Sequence, residues 1–222
     1  MPSVADLLAR VSFLAAMPAV LGILFTTSLL VVSRDWRLHV LALTLQYFFV
    51  VLLLTRLIRP EVAAVKGQIG WMICMVFYMT ERRAEAAAGT GQALPLGASL
   101  RARHWMMSAR ASFSLLAGLL IAVAAYTATL RFPLPIVPED ISLACYLLAG
   151  LGLLLAGIGD SPLQVGIGVL TFLSGFDLFY VALEPSLAVA GLLGGLSFVI
   201  ALVTVFLRAA QIAAEEKGKQ HP

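Results

Sequence analysis

The sequence predicts an all-α polytopic membrane protein of about seven transmembrane helices, arranged as two parallel three-helix repeats joined by one extra span. Three observations lead there. Of 222 residues, 61% are hydrophobic and only 12% charged, with a mean hydropathy of +0.97, whereas soluble domains carry about 25% charge. The apolar residues fall into blocks of bilayer-crossing length. The chain also matches itself when displaced by 125 residues.

The blocks lie at about 11–32, 38–57, 62–80, 111–130, 141–158, 162–183 and 187–207, each near the roughly 20 residues that a bilayer demands. The first, Val11 to Val32, follows Arg10 and exceeds the roughly 7–15-residue apolar region of a cleaved signal, so it is expected to be retained. Gly159-Asp160-Ser161 and Glu184-Pro185-Ser186 leave room only for tight turns between antiparallel neighbours. Residues 81–110 form a basic loop whose centre, Gly89-Thr90-Gly91, has the composition of a flexible linker. Its end, from Ser99 to Arg110, mixes Arg101, Arg103, His104, Trp105, Met106 and Met107 and suits the headgroup layer. Pro133, Pro135 and Pro138 make residues 131–140 a stiff, extended connection. After Arg208 the chain is polar and expected to fray. The organisation is therefore a first repeat over 1–80, a basic loop over 81–110, a linking helix and Pro-rich loop over 111–140, a second repeat over 141–208 and a tail over 209–222.

With seven crossings, ten Lys and Arg residues fall on one side and five on the other. The positive-inside bias places the N-terminus outside and the C-terminus in the cytoplasm of a cell inner (plasma) membrane. The net charge of +3 comes from loop arginines, so the lipid bilayer, and not nucleic acid, is the expected partner. Cys74 and Cys145 lie in separate apolar blocks without C-x-x-C spacing, so neither a metal nor another cofactor is implied. His39, His104 and His221 are scattered, and no H-E-x-x-H, nucleophile–base pair or paired carboxylates occur, which argues against catalysis by the chain itself.

At the displacement of 125, Asp35 aligns with Asp160, Leu38 with Leu163, Leu45 with Leu170, Pro60 with Pro185, Ala63 with Ala188 and Arg83 with Arg208. Both turns come into register, and the fourth span supplies the crossing that makes the two triplets like-oriented. Asp177 is the one ionisable residue of the sixth span, about 9 Å from its C-terminal end. An acid there costs at least about 2.5 kcal/mol on insertion scales, so it is expected to face protein or water, either as a proton carrier or bonded to a neighbouring helix. Lys66, the one lysine inside a span, is placed either to snorkel to the outer interface or to carry a proton. Gln46 and Thr171 align with each other and complete the ion-path candidates. Gly168 and Gly175 share a helix face with Gln164 and Thr171, and Gly166 shares Asp177's face together with Leu170 and Leu173. The sixth span is thus expected to pack on two sides through Gly166, Gly168 and Gly175.

The stretch Gly-Val-Leu-Thr-Phe-Leu-Ser-Gly-Phe-Asp-Leu-Phe-Tyr-Val-Ala-Leu from Gly168, with a helix from Leu187 to Arg208 behind it, resembles the K subunit of respiratory complex I and the C subunit of Mrp-type cation/proton antiporters. Val62-Ala63-Ala64-Val65-Lys66-Gly67-Gln68-Ile69-Gly70 repeats the third-helix pattern. The chain as a whole is most similar to the hydrogenase-4 component E proteins. The resemblance implies a membrane subunit of a complex I-like or hydrogenase-like oxidoreductase assembly, with antiporter-like membrane subunits as partners. It also implies an acid in the middle helix of the triplet and another in the third, but the matching positions hold Leu170 and Gly195 in one copy and Gln46 and Lys66 in the other. A mainly structural subunit is therefore expected, with Asp177, two turns beyond Leu170, as a displaced acid. The alternative is a stand-alone small-solute or ion transporter using the two triplets as its halves.

Overall fold

The computed structural model describes residues 4–33, 35–58, 60–88, 100–132, 137–184 and 186–220. Among them run seven helices: α1 (Val4–Val32), α2 (Trp36–Leu57), α3 (Pro60–Ala88), α4 (Leu100–Arg131), α5 (Glu139–Ile158), α6 (Pro162–Leu183) and α7 (Leu187–Gln220). Six have the length and apolarity to cross a membrane, and α1 adds the apolar stretch Pro18–Val32 among the described residues. The protein is a multi-span, all-helical membrane protein.

Three helices outrun their sequence-predicted ends. α3 continues to Ala88, α4 starts at Leu100, and α7 extends to Gln220 where a fraying tail was expected. Loss of apolarity ends a membrane span but is no helix stop: the extensions are rich in Ala, Arg, Glu and Gln, all strong helix formers. The glycine linker, Ser99, Pro133 and Pro135 lie outside the described residues, and Pro138 serves as N-cap of α5. α6 starts on Ser161, whose hydroxyl accepts the Gln164 N–H, with Pro162 in the first turn. The Gln164 side-chain oxygen in turn accepts the Asp160 N–H at 3.0 Å, so two donors that α6 leaves open are satisfied locally.

Ion pairs fix the helix directions. Arg56, at the end of α2, meets Asp140, at the start of α5 (2.6 Å), and Lys66, early in α3, meets Asp177, late in α6. All four groups therefore lie at the end of the bundle that holds the α2–α3 and α6–α7 turns, here the turn end. At the opposite end Arg37 of α2 meets Glu85 of α3 (2.9 Å), and Glu81 of α3 meets Arg208 of α7 (2.8 Å). Hence α2 runs parallel to α6, α3 to α7 and α1 to α5.

Each helix of the first triplet also packs against its own counterpart, α1 on α5, α2 on α6 and α3 on α7. Two contacts join residues that are equivalent under the 125-residue displacement. Thr171 donates to the Gln46 side-chain oxygen at 3.4 Å, and Ile69 Cδ1 sits 2.7 Å from where a Cβ on Gly194 would stand. Only residues near a pseudo-two-fold axis can touch their counterparts, so the axis passes through both contacts, parallel to the helices. α4 packs on α5 and α1, with only 17% of its spanning window buried.

The interior divides in two. One apolar cluster, towards the turn end, includes Ile23, Leu53, Leu54, Ile141, Leu148 and Leu178. The other, towards the opposite end, includes Leu30, Leu43, Phe77, Leu163, Ile167 and Leu170. Between them lies a polar belt of Thr26, Thr27, Gln46, Thr171 and Ser174, all buried.

Candidate functional site

The site grows from α6, whose Thr171, Ser174 and Asp177 recur every three residues. This spacing drifts around a helix with a period of about 3.6, so the three groups form a stripe winding from the face towards α2 to the face towards α3. The sequence reading put Thr171 and Asp177 on separate faces; Ser174 bridges them. Its hydroxyl donates to Leu170 O at 2.8 Å, and Tyr47 of α2 reaches Ser174 and stands within electrostatic range of Asp177.

The stripe ends on the Lys66–Asp177 ion pair, which links the third helix of one repeat to the middle helix of the other. The side chains are only 10% and 9% exposed. Lys66 therefore does not snorkel to the interface: an inward-facing acid within reach holds the ammonium better than a bent path to water. Burying either charge alone would cost several kcal/mol, and the partner offsets that only through close contact. The pair adds a cation and an acid, both buried, to the turn-end side of the polar belt.

About 9 Å along α6, Thr171 meets Gln46 on the pseudo-axis. Both are 1% exposed and neither titrates, so the bond is a neutral tie. At 3.4 Å it is long, and interhelical bonds of this kind average about 0.6 kcal/mol in membrane proteins. Thr171→Val is accordingly expected to lower stability by no more than about 0.6 kcal/mol, measured by unfolding in detergent.

The three glycines lie on the two sides of α6. A Cβ on Gly168 would meet Ala156 N at 2.4 Å, and one on Gly175 would meet Leu148 Cβ at 2.9 Å, both on α5. Gly166 faces Thr204 of α7, 2.3 Å from its would-be Cβ. α6 is thus held between α5 and α7 by backbone-close contacts that only glycine permits.

Sequence reasoning aligned Gln46 with Thr171 and placed Asp177 and Lys66 separately, and the structure brings the four together as two pairs along one stripe. It missed Tyr47 and Ser174, although Tyr47 adjoins Gln46 and the three-residue spacing on α6 was readable. It also missed the Glu81–Arg208 clamp, whose acid is only 4% exposed, because Glu81 was placed in a loop. Cys74 and Cys145 are free and buried. Among the described residues no three His, Cys, Asp or Glu side chains gather as a metal site. Comparison with known family models, curated proteins and solved structures gives no match.

Proposed function

We propose that this multi-span protein is a membrane subunit of a complex I-like or hydrogenase-4-like, proton- or cation-translocating assembly. Its main role there is to offer a packed platform to larger antiporter-like subunits. The Lys66–Asp177 pair carries this reading: a buried cation and acid bridging two helical triplets is the arrangement a membrane needs to pass a proton without exposing a bare charge. The resemblance of the triplet to complex I K-type and Mrp C-type subunits supplies the class of assembly. The arginine-rich end, with Arg37, Arg82, Arg83 and Arg208, lies in the cytoplasm by the positive-inside bias, which puts the N-terminus outside.

Two measurements test it. Purified gently from its own cells, the protein is expected to bring larger antiporter-like membrane subunits with it. In that assembly, Asp177→Asn is expected to cut proton flux at least tenfold while the subunits still assemble; unchanged flux would leave the pair a structural tie.

The Gln46–Thr171 contact on the pseudo-axis favours a second reading, a stand-alone transporter. Polar groups where two repeats meet are a common substrate position, and ion pairs tie the repeats at both ends of the bundle. Recovery as a lone species that moves a solute in liposomes would establish it and displace the first.

A further inference from the structure

Among the described residues, two of the lateral grooves in the bundle are counterparts. One, of about 650 Å³, opens between α2 and α3; the other, of about 500 Å³, opens between α6 and α7. Nine of the eleven residues lining the first recur in the second at the 125-residue displacement. The duplication therefore produced two copies of one groove, and their differences show what each has become.

In the second copy the positions are bland. Ser161, Pro162, Val203 and Leu207 stand where the first has Trp36, Arg37, Tyr78 and Arg82; no lysine or arginine lines it, and the one charged lining residue is the acid Asp160. In the first, Arg37 lies 5.4 Å from the Trp36 ring centroid and donates to Glu85 at 2.9 Å. Trp36 and Tyr78 pack ring to ring with centroids 5.8 Å apart. Arg82 is exposed and forms no ion pair with another described residue. The lining holds two guanidiniums and one carboxylate, and Asp35 lies within electrostatic reach of Arg37, so among the described residues Arg82 is the cation of the mouth left without an opposing acid, framed by aromatic rings of the kind that sit at headgroup level.

Beyond this mouth the groove loses its charges. A further 500 Å³ continues along α2 and α3, sharing Leu41, Trp71 and Cys74 with the mouth and ending among Phe48, Val51 and Gly67. From Arg82 to Gly67 is roughly 22 Å at about 1.5 Å per residue, longer than the roughly 15 Å depth of one leaflet's hydrocarbon. A cationic, aromatic-rimmed mouth at a helix end, opening onto a carbon-lined trough of leaflet depth, matches a molecule with an anionic head and an acyl tail.

We propose that the α2–α3 groove is a binding site for an anionic phospholipid. Its phosphate rests on Arg82 and the free edge of Arg37, and one acyl chain lies in the trough towards Val51. The α6–α7 groove is the duplicate that lacks the headgroup site. The proposal is independent of the assembly role.

The test is native mass spectrometry of the full chain in detergent, titrated with phosphatidylglycerol or phosphatidylcholine. One phosphatidylglycerol is expected to be retained with about fivefold preference over phosphatidylcholine, the factor that about 1 kcal/mol for one cation confers. Arg82→Gln, at an exposed position, is expected to abolish the preference without affecting folding. Leu207→Arg, which gives the second groove the missing cation, is expected to raise the number of retained phosphatidylglycerols from one to two. Equal retention of both lipids, or a preference that survives Arg82→Gln, would overturn the site. A single retained lipid in Leu207→Arg would overturn the claim that this guanidinium is what distinguishes the grooves.

Discussion

Asp177→Leu is expected to lower the thermal unfolding midpoint of the purified protein by about 10 °C. Removing one partner of a buried ion pair strands the other charge, at a cost of about 3–5 kcal/mol, and a chain of this size loses about 2–4 °C per kcal/mol. Lys66→Met is expected to do the same from the other side. The double variant Lys66→Met/Asp177→Leu should recover most of the loss, since a well-packed apolar pair often replaces a buried ion pair at no net cost. The check is the coupling in this double-mutant cycle. Losses that simply add would mean that the two side chains do not act as a pair, which would remove the observation on which the proton-bearing role stands.

Gly168→Leu is expected to be still more damaging. The would-be Cβ of Gly168 lies 2.4 Å from Ala156 N and 2.8 Å from Ala156 Cα, while that of Gly152 lies 2.4 Å from Phe172 N. In each case the obstacle is main chain, which cannot rotate aside as a side chain can, so α5 and α6 must separate along much of their contact. The clash also unseats Thr171 and Asp177, which the same helix delivers to α2 and α3. A loss of more than about 5 kcal/mol places this among the exceptional single substitutions, read as disappearance of the monodisperse species in size-exclusion chromatography. Gly157→Ala and Gly191→Ala provide the contrast, because nothing lies within 4 Å of a Cβ at either position. Both should be neutral or stabilising by up to about 1 kcal/mol, the helix preference of alanine over glycine. If Gly168→Leu behaved like these two, the close α5–α6 approach would be wrong.

Much of this architecture was legible in the chain itself. The apolar blocks gave all seven helices, the register of the two turns gave the correspondence of the triplets, and the extra fourth span together with the Lys and Arg count gave their like orientation. Gln46 and Thr171 were matched by displacement alone, and they touch because equivalent residues near a two-fold axis must meet. The Lys66–Asp177 contact was not legible, since the displacement aligns Lys66 with Gly191 and Asp177 with Leu52. A self-comparison shows which residues correspond, not which helix of one copy will lean on a different helix of the other. Helix ends were misjudged for a simpler reason: hydropathy marks where lipid stops, while the Ala-, Glu- and Arg-rich segments beyond it go on bonding carbonyl to amide. That is why Glu81, placed in a loop by its charge, is a buried clamp on Arg208.

The non-correspondence of Lys66 and Asp177 has a wider consequence. Were the two triplets separate, identical chains, every charge would occur twice, and a cation near one side of the dyad would be mirrored on the other. Here the halves, joined through α4, are not alike: one supplies the ammonium and the other the carboxylate, with glycine and leucine at the equivalent positions. Among the described residues this buried ion pair therefore sits off-centre without a mirrored mate, and the left and right flanks of the bundle present unequal faces to whatever stands beside them.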